Sequence, residues 1–277
     1  GVAARGLAPA LLPLMLVVRA GEPGERERAL LALGTLGDAR ALDELEAVAA
    51  GGTKESPVEL TMQAAATEAL GRIAPKLEGA ELRRRASERV EQALHADAVD
   101  LRESAARGVR WIGGERARVL LEELARAGDT PDRLRLVAVN ELGELGDRAA
   151  EPALARALDA RSAEVRKAAR KALEKLFPGE RTRVELLAVA SEHDDIASPA
   201  ASYLAAEADP AELLPRLAAL KDEELRQRLA MGLLRRGSLP AAALRAMLED
   251  DRAPARQEAA RLIAAGAVDG GREALAA

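Results

Sequence analysis

The chain has 277 residues, 41 Lys plus Arg against 46 Asp plus Glu, and a formal net charge of -5. It holds no Cys and one each of Trp, Tyr and Phe. That excludes disulfide scaffolds, zinc-thiolate sites and cysteine nucleophiles, and it disfavours disorder and a strongly basic nucleic-acid binder. A core with so few rings is thin, and small Ala- and Leu-rich helices suit it.

The first apolar run, Leu7 to Val18, carries Pro9 and Pro13. It is shorter than the ~20 apolar residues a membrane span requires and lacks the basic start and cleavage pattern of a leader. It reads as a buried helix, a half-repeat at 1–24 with no first helix before it. From there a repeat organises the sequence. Segments begin at Glu25, Met62, Leu101, Leu134, Val165, Ile196, Leu225 and Pro254, at intervals of 37, 39, 33, 31, 31, 29 and 29 residues. Four residues into each stand Ala29, Ala66, Ala105, Ala138, Ala169, Ala200, Leu229 and Glu258. Eight residues in stand Leu33, Leu70, Val109, Leu142, Leu173, Leu204, Leu233 and Leu262. Positions plus 4, 8 and 11 share one face of an α-helix, so Ala admits a neighbouring helix and the aliphatic fills the core. Small residues follow at plus 12, among them Gly37, Gly113, Gly146, Gly237 and Gly266, and suit a helix C-terminus. Asp38, Asp147, Asp209 and Ser238 come next as N-caps of second helices. No stretch alternates as a strand does.

Each repeat is then a helix pair that buries its apolar faces only by stacking on its neighbours. The units resemble HEAT-like repeats of the short bacterial type first named for phycobilin lyases. The passage from Ala157 to Leu176 carries the resemblance best, with Asp159 in the inter-repeat turn and Val165-Arg166 opening the next helix. Arg26, Arg102, Arg135 and Arg226 fill the same Arg slot. The resemblance implies an all-α, right-handed α-solenoid of about eight helix pairs, one array over residues 1–277; the half-repeat at its start fits a fragment of a longer protein, or a native cap. The long first intervals fall in the loop Ala49 to Pro57 and in the stretch Pro75 to Asp97. The corner Phe177-Pro178-Gly179 interrupts the small-residue column.

The resemblance is weak for function, because fold and function separate. Some HEAT-like enzymes hold two irons through repeated His-Glu pairs; His95 and His193 are the only histidines here, and neither precedes a Glu. His193 stands among carboxylates in Ser191 to Asp195, which reads as a solvated turn opening a helix. No phosphate-binding glycine loop or nucleophile elbow occurs. Some HEAT-like proteins are DNA glycosylases with a basic groove. The best basic cluster here, Arg83, Arg84, Arg85 and Arg89, is laced with Glu81, Glu88 and Glu91, which reads as a solvated face. The first 183 residues carry 30 charges of each sign, and residues 184–277 carry 11 basic and 16 acidic, so a continuous positive groove is disfavoured.

Trp111 lies in a column held elsewhere by Thr35, Arg72, Glu144, Lys175, Ala206, Arg235 and Ala264. Two readings stand: a partly exposed contact residue, or a ring packed on the stretch Pro75 to Asp97. Tyr203 is similar, a contact residue or a packing adjustment beside Phe177. The second helices would line a concave, mixed-charge surface with Arg118, Glu122, Arg148 and Glu151. The expected function is a non-enzymatic protein-interaction scaffold in a bacterial cytoplasm, with no cofactor, no metal and no membrane. Its partner would be another protein or another domain of the parent chain, with nucleic acid disfavoured. A bilin-lyase-like enzyme and a HEAT-like DNA glycosylase are the alternatives.

Overall fold

The computed structural model describes residues 10–51, 56–126, 128–210, 213–214, 225–226, 229–230, 232–233, 241–251 and 253–264. The expectations for Gly237, Ser238 and Gly266, for residues 1–9 of the half-repeat and for 52–55 of the first long loop fall outside them. All regular structure among the described residues is helical: α1 (Leu11–Ala20), α2 (Pro23–Leu36), α3 (Leu42–Ala50), α4 (Pro57–Ile73), α5 (Ala80–Ala93), α6 (Val99–Ile112), α7 (Gly114–Arg126), α8 (Asp132–Leu145), α9 (Glu151–Ala157), α10 (Ala163–Leu176), α11 (Arg181–Ala188), α12 (Asp194–Glu207), α13 (Ala241–Leu248) and α14 (Ala253–Ala264), with three short 3₁₀ turns. This is an all-α repeat fold. It forms two compact parts, Gly1–Ala157 and Leu158–Ala277.

In the first part, the first helices α2, α4, α6 and α8 pack in succession, and the second helices α3, α5 and α7 each pack on the first helix that follows. In the second part α10, α11 and α12 pack together, and α13 packs on α14. The plus-8 column is the core. Leu33, Leu70, Val109, Leu142, Leu173, Leu204, Leu233 and Leu262 are all buried. Each stabilises the fold by roughly 1.5–3 kcal/mol. The plus-4 column is buried as well, including the Glu258 carboxylate, which faces Arg261 at 3.7 Å. Glycines beyond that column bring the first helices closest. A Cβ added to Gly71 would lie 2.3 Å from the Gly108 backbone.

Helix ends follow their local sequence. Ser56 and Glu59 form a reciprocal capping box at the start of α4, with Pro57 in the first turn. Gly37 and Gly146 close α2 and α8 in the left-handed conformation, where other residues are strained. Asp38 and Asp147 then cap the next turn by accepting from the Arg40 and Ala149 amides. The plus-12 column departs at Ala74, which runs into a 3₁₀ turn, and at Phe177. Phe177 turns into the core, with the Arg183 guanidinium 4.0 Å from its ring. The extra length between Pro75 and Asp97 is spent on a longer second helix, α5.

The Arg slot has a structural task that spacing alone does not disclose. Arg26 donates from Nε to the Val18 carbonyl at the end of α1, Arg102 to Leu94, Arg135 to Thr130, and Arg166 to Ala160 and Arg161. Each guanidinium satisfies carbonyls left open where the preceding helix or its turn ends, and places positive charge at that negative pole.

Candidate interaction surface

Trp111 ends α6 one residue before the helix stops, and 39% of it is exposed. Its ring lies against Arg110 of the same helix, 4.1 Å from the centroid, and against Arg72 of α4, at 5.2 Å. Arg72 occupies the same repeat position as Trp111, one repeat earlier, and donates in turn to Thr35 one repeat before that, at 3.4 Å. The column Thr35, Arg72, Trp111 is therefore a ladder across three first helices. The guanidiniums are held from behind: Arg72 pairs with Glu68 at 2.5 Å and Arg110 with Glu141 of α8 at 2.5 Å. Burial pushes the Glu141 carboxyl above its ordinary range, although Arg110 and Arg107 pull the other way. Two cations fixed over an indole add cation–π attraction and hold the ring in place.

Toward the N-terminal ends of the same helices lies a cleft of about 290 Å³, lined by residues of α2, α4, α6 and α8. It contains Glu27, Leu31, Glu68, Glu103, Ser104 and Arg107. Glu103 is buried and pairs with Arg133 of α8 at 2.7 Å and with Arg107 at 3.6 Å. Arg133 also reaches Asp100 at 3.0 Å. Glu68 belongs to both places, lining the cleft and holding Arg72. Reading the sequence by single columns missed the cleft, because its residues come from four columns at once. The signal was present in the charges at plus 2 and plus 6: Glu27, Glu103, Glu68 and Arg107.

The charged candidates on the second helices behave differently. Arg118 of α7 pairs with Glu122 at 2.8 Å, with Asp147 at 3.0 Å and with Glu115 at 3.4 Å. The bond to Glu122 raises its pKa further. Arg118 and Glu122 are thus brought together, and they tie α7 to the turn after α8. Arg148 is exposed in the 3₁₀ turn before α9, and Glu151 opens that helix half-buried. Trp111 stands on the first-helix layer, whereas Arg118 and Glu122 stand on α7 and Arg148 and Glu151 at the start of α9. Tyr203 belongs to the C-terminal part. It lies under Arg181, 4.1 Å from its ring, and Arg181 borders the buried Glu185, which Arg170 grips at 2.6 Å.

The basic run on α5 is spent on local partners. Arg84 pairs with Glu81 and Glu88, Arg85 with Asp43 and Glu46 of α3, Arg83 donates to the Leu77 carbonyl, and Arg89 to Gln92. The turn Ser191 to Asp195 is a joint. Ser191 donates to the Leu158 carbonyl, Asp159 accepts from the Glu192 amide, and Asp195 pairs with Arg166 at 2.9 Å. That bond holds the Asp195 carboxyl below its ordinary range. Among the described residues no group of three or more His, Asp or Glu is placed to hold a metal, and no helix is long and apolar enough to cross a membrane.

Residues 120–205 match the HEAT repeats family. No curated protein matches the sequence. Solved structures similar to the chain include the complex of CpcE and CpcF of phycocyanin lyase from Nostoc, 18% identical over 91% of this chain and 92% of that one, with a TM-score of 0.45. An engineered protein is 19% identical over 95% and 81%, with a TM-score of 0.41. Human deoxyhypusine hydroxylase in complex with glycerol is 20% identical over 94% and 83%, with a TM-score of 0.31. With residues 120–205 matched to HEAT repeats and successive helix pairs packed before them, the chain is a HEAT-like repeat protein.

Proposed function

We propose that the chain is a protein-interaction scaffold whose contact surface is the first-helix layer around Trp111. The observation that carries this is the exposed indole held against Arg72 and Arg110. Trp and Arg are the residue types enriched where a few side chains dominate binding. Here the ring is ordered before any partner arrives, so little side-chain entropy is lost on binding. The second-helix charges Arg118 and Glu122 are occupied with one another and with Asp147, which makes them poorer contacts.

A selection from a display library of short random peptides tests the reading. Binders should be recovered, and Trp111→Ala should weaken them by roughly 2 kcal/mol or more, the loss that defines a hot spot. Arg148→Ala serves as the surface control. Binders that tolerate Trp111→Ala and depend on Arg148 would move the surface to the second helices. A library that yields no binder to the folded chain would defeat the scaffold reading.

A further inference from the structure

We propose that the cleft beside Trp111 receives a Lys or Arg side chain of the partner protein, with an apolar side chain of the same segment lying on the indole. The inference rests on the scaffold reading above and names the partner's chemistry. Three observations lead to it.

The first is charge. Four carboxylates, Glu27, Glu68, Asp100 and Glu103, and two guanidiniums, Arg107 and Arg133, line the cleft. Arg133 and Arg107 are occupied by Asp100 and Glu103, and Glu68 is held by Arg72. Glu27 makes no ion pair among the described residues, so the cleft lacks one positive charge. The second is size. At about 290 Å³ the cleft lies at the bottom of the range of small-molecule pockets, roughly 300–1,000 Å³. It fits one long side chain, whose aliphatic stem would cover Leu31 while its charged head meets Glu27. The third is continuity. Glu68 joins cleft and indole, and Ser104 at the cleft stands seven residues before Trp111 on α6. Seven residues of helix span roughly 10 Å. A partner helix running alongside would therefore carry its basic residue and its apolar residue two turns apart.

The test uses the same peptide library against the full chain. Trp111-dependent binders should carry a Lys or Arg, and Glu27→Gln should weaken them about tenfold. Glu27→Asp should retain most of the binding. Glu27→Lys should abolish it, and exchanging the peptide's basic residue for Glu should restore it to that variant. Glu27 is half-buried at the cleft and makes no ion pair among the described residues, so far-ultraviolet circular dichroism should be unchanged in all three variants. Trp111-dependent binders that lack a basic residue, or that bind Glu27→Lys unaltered, overturn the cleft assignment and leave the scaffold reading standing. An absence of Trp111-dependent binders overturns both.

Discussion

Trp111 and Arg118 stand seven residues apart, at the end of one helix and the beginning of the next, and they meet opposite fates. Arg118 is enclosed by Glu115, Glu122 and Asp147. Trp111 is flanked by cations and keeps 39% of its surface open. The contrast shows how charge is used in this chain. An Arg on a second helix is commonly a tie: Arg19 to Glu44, Arg85 to Glu46, Arg116 to Glu91, Arg118 to Asp147. Each tie joins one helix to the next helix or turn in the stack. A mixed-charge face is therefore already engaged with itself. The residues open to a partner are those left after the ties are subtracted.

Trp111 and Arg118 both rest on the packed core of the N-terminal part, and the largest expected effect is there. Leu142 is wholly buried in α8. Leu142→Ala should cost roughly 2–5 kcal/mol in denaturant unfolding, the range for a core leucine. Coupling in a repeat array runs mainly to neighbours. Hydrogen exchange should therefore rise first in α6 to α9. Uniform loss of protection from Met62 to Pro254 would show that the repeats do not act locally.

A smaller loss is expected where the first helices touch. Gly71→Ala drives a methyl into the Gly108 backbone, 2.3 Å away, and overpacking of this kind costs about 1–3 kcal/mol. Gly24, in the first turn of α2, has nothing within 4 Å of an added methyl. Gly24→Ala should be neutral or stabilising by up to ~1 kcal/mol. Equal effects at the two positions would mean that α4 and α6 do not approach as described, and the ladder from Arg72 to Trp111 would lose its footing.

Much of this was legible in the sequence, for a physical reason. Columns at plus 4 and plus 8 repeat because every helix pair must bury the same stripe, and every described member of both is buried. Asp38 and Asp147 cap as expected because the geometry is local. The half-exposed state of Trp111 was legible as one of two alternatives, since its column elsewhere holds Thr, Arg, Glu and Lys. Its partner Arg72 sat in the same column and was the clue. What did not show is anything that depends on which helices lie side by side. The Arg slot caps the helix before it, eight residues upstream at Val18 and Leu94, a distance no helical period announces. The pairing of Arg118 with Asp147 depends in the same way on the turn after α8 lying against α7.

Trp111 and Arg118 are separable by substitution. Trp111→Ala should change stability by well under ~2 kcal/mol, since a buried Trp costs about 3–5. Native emission should be red-shifted and quenched by acrylamide. Arg118→Met should lower the melting temperature, and high salt should shrink that loss, because the ties are partly exposed ion pairs. Trp111→Ala should show little salt dependence. A blue-shifted, unquenchable indole would place Trp111 in the core and reverse the comparison.

The smallest effect reads the indole's own support. Glu141 holds Arg110, and burial sets its folded pKa above the ordinary carboxylate value of about 4.3. The folded chain therefore retains this proton to higher pH than the unfolded chain does. The sign follows from linkage: stability from this group is fully present below its unfolded pKa and is lost as pH rises through the folded one. Glu141→Gln removes that loss. The stability of wild type relative to Glu141→Gln should accordingly be greater near pH 4 than at pH 7. Asp38 and Asp195, whose carboxyls lie below their ordinary range beside Arg40 and Arg166, slope the other way and cancel in the difference. A local signal accompanies it. Protonation loosens Arg110 from Glu141, and Arg110 lies 4.1 Å from the Trp111 ring, so Trp111 emission should titrate with a midpoint above about 4.3 and stop titrating in Glu141→Gln. A midpoint below that value would mean that the guanidinium outweighs burial at Glu141. Arg110 would then be bound more tightly to Glu141 than its place over the indole requires, and the ring would owe its position to Arg72.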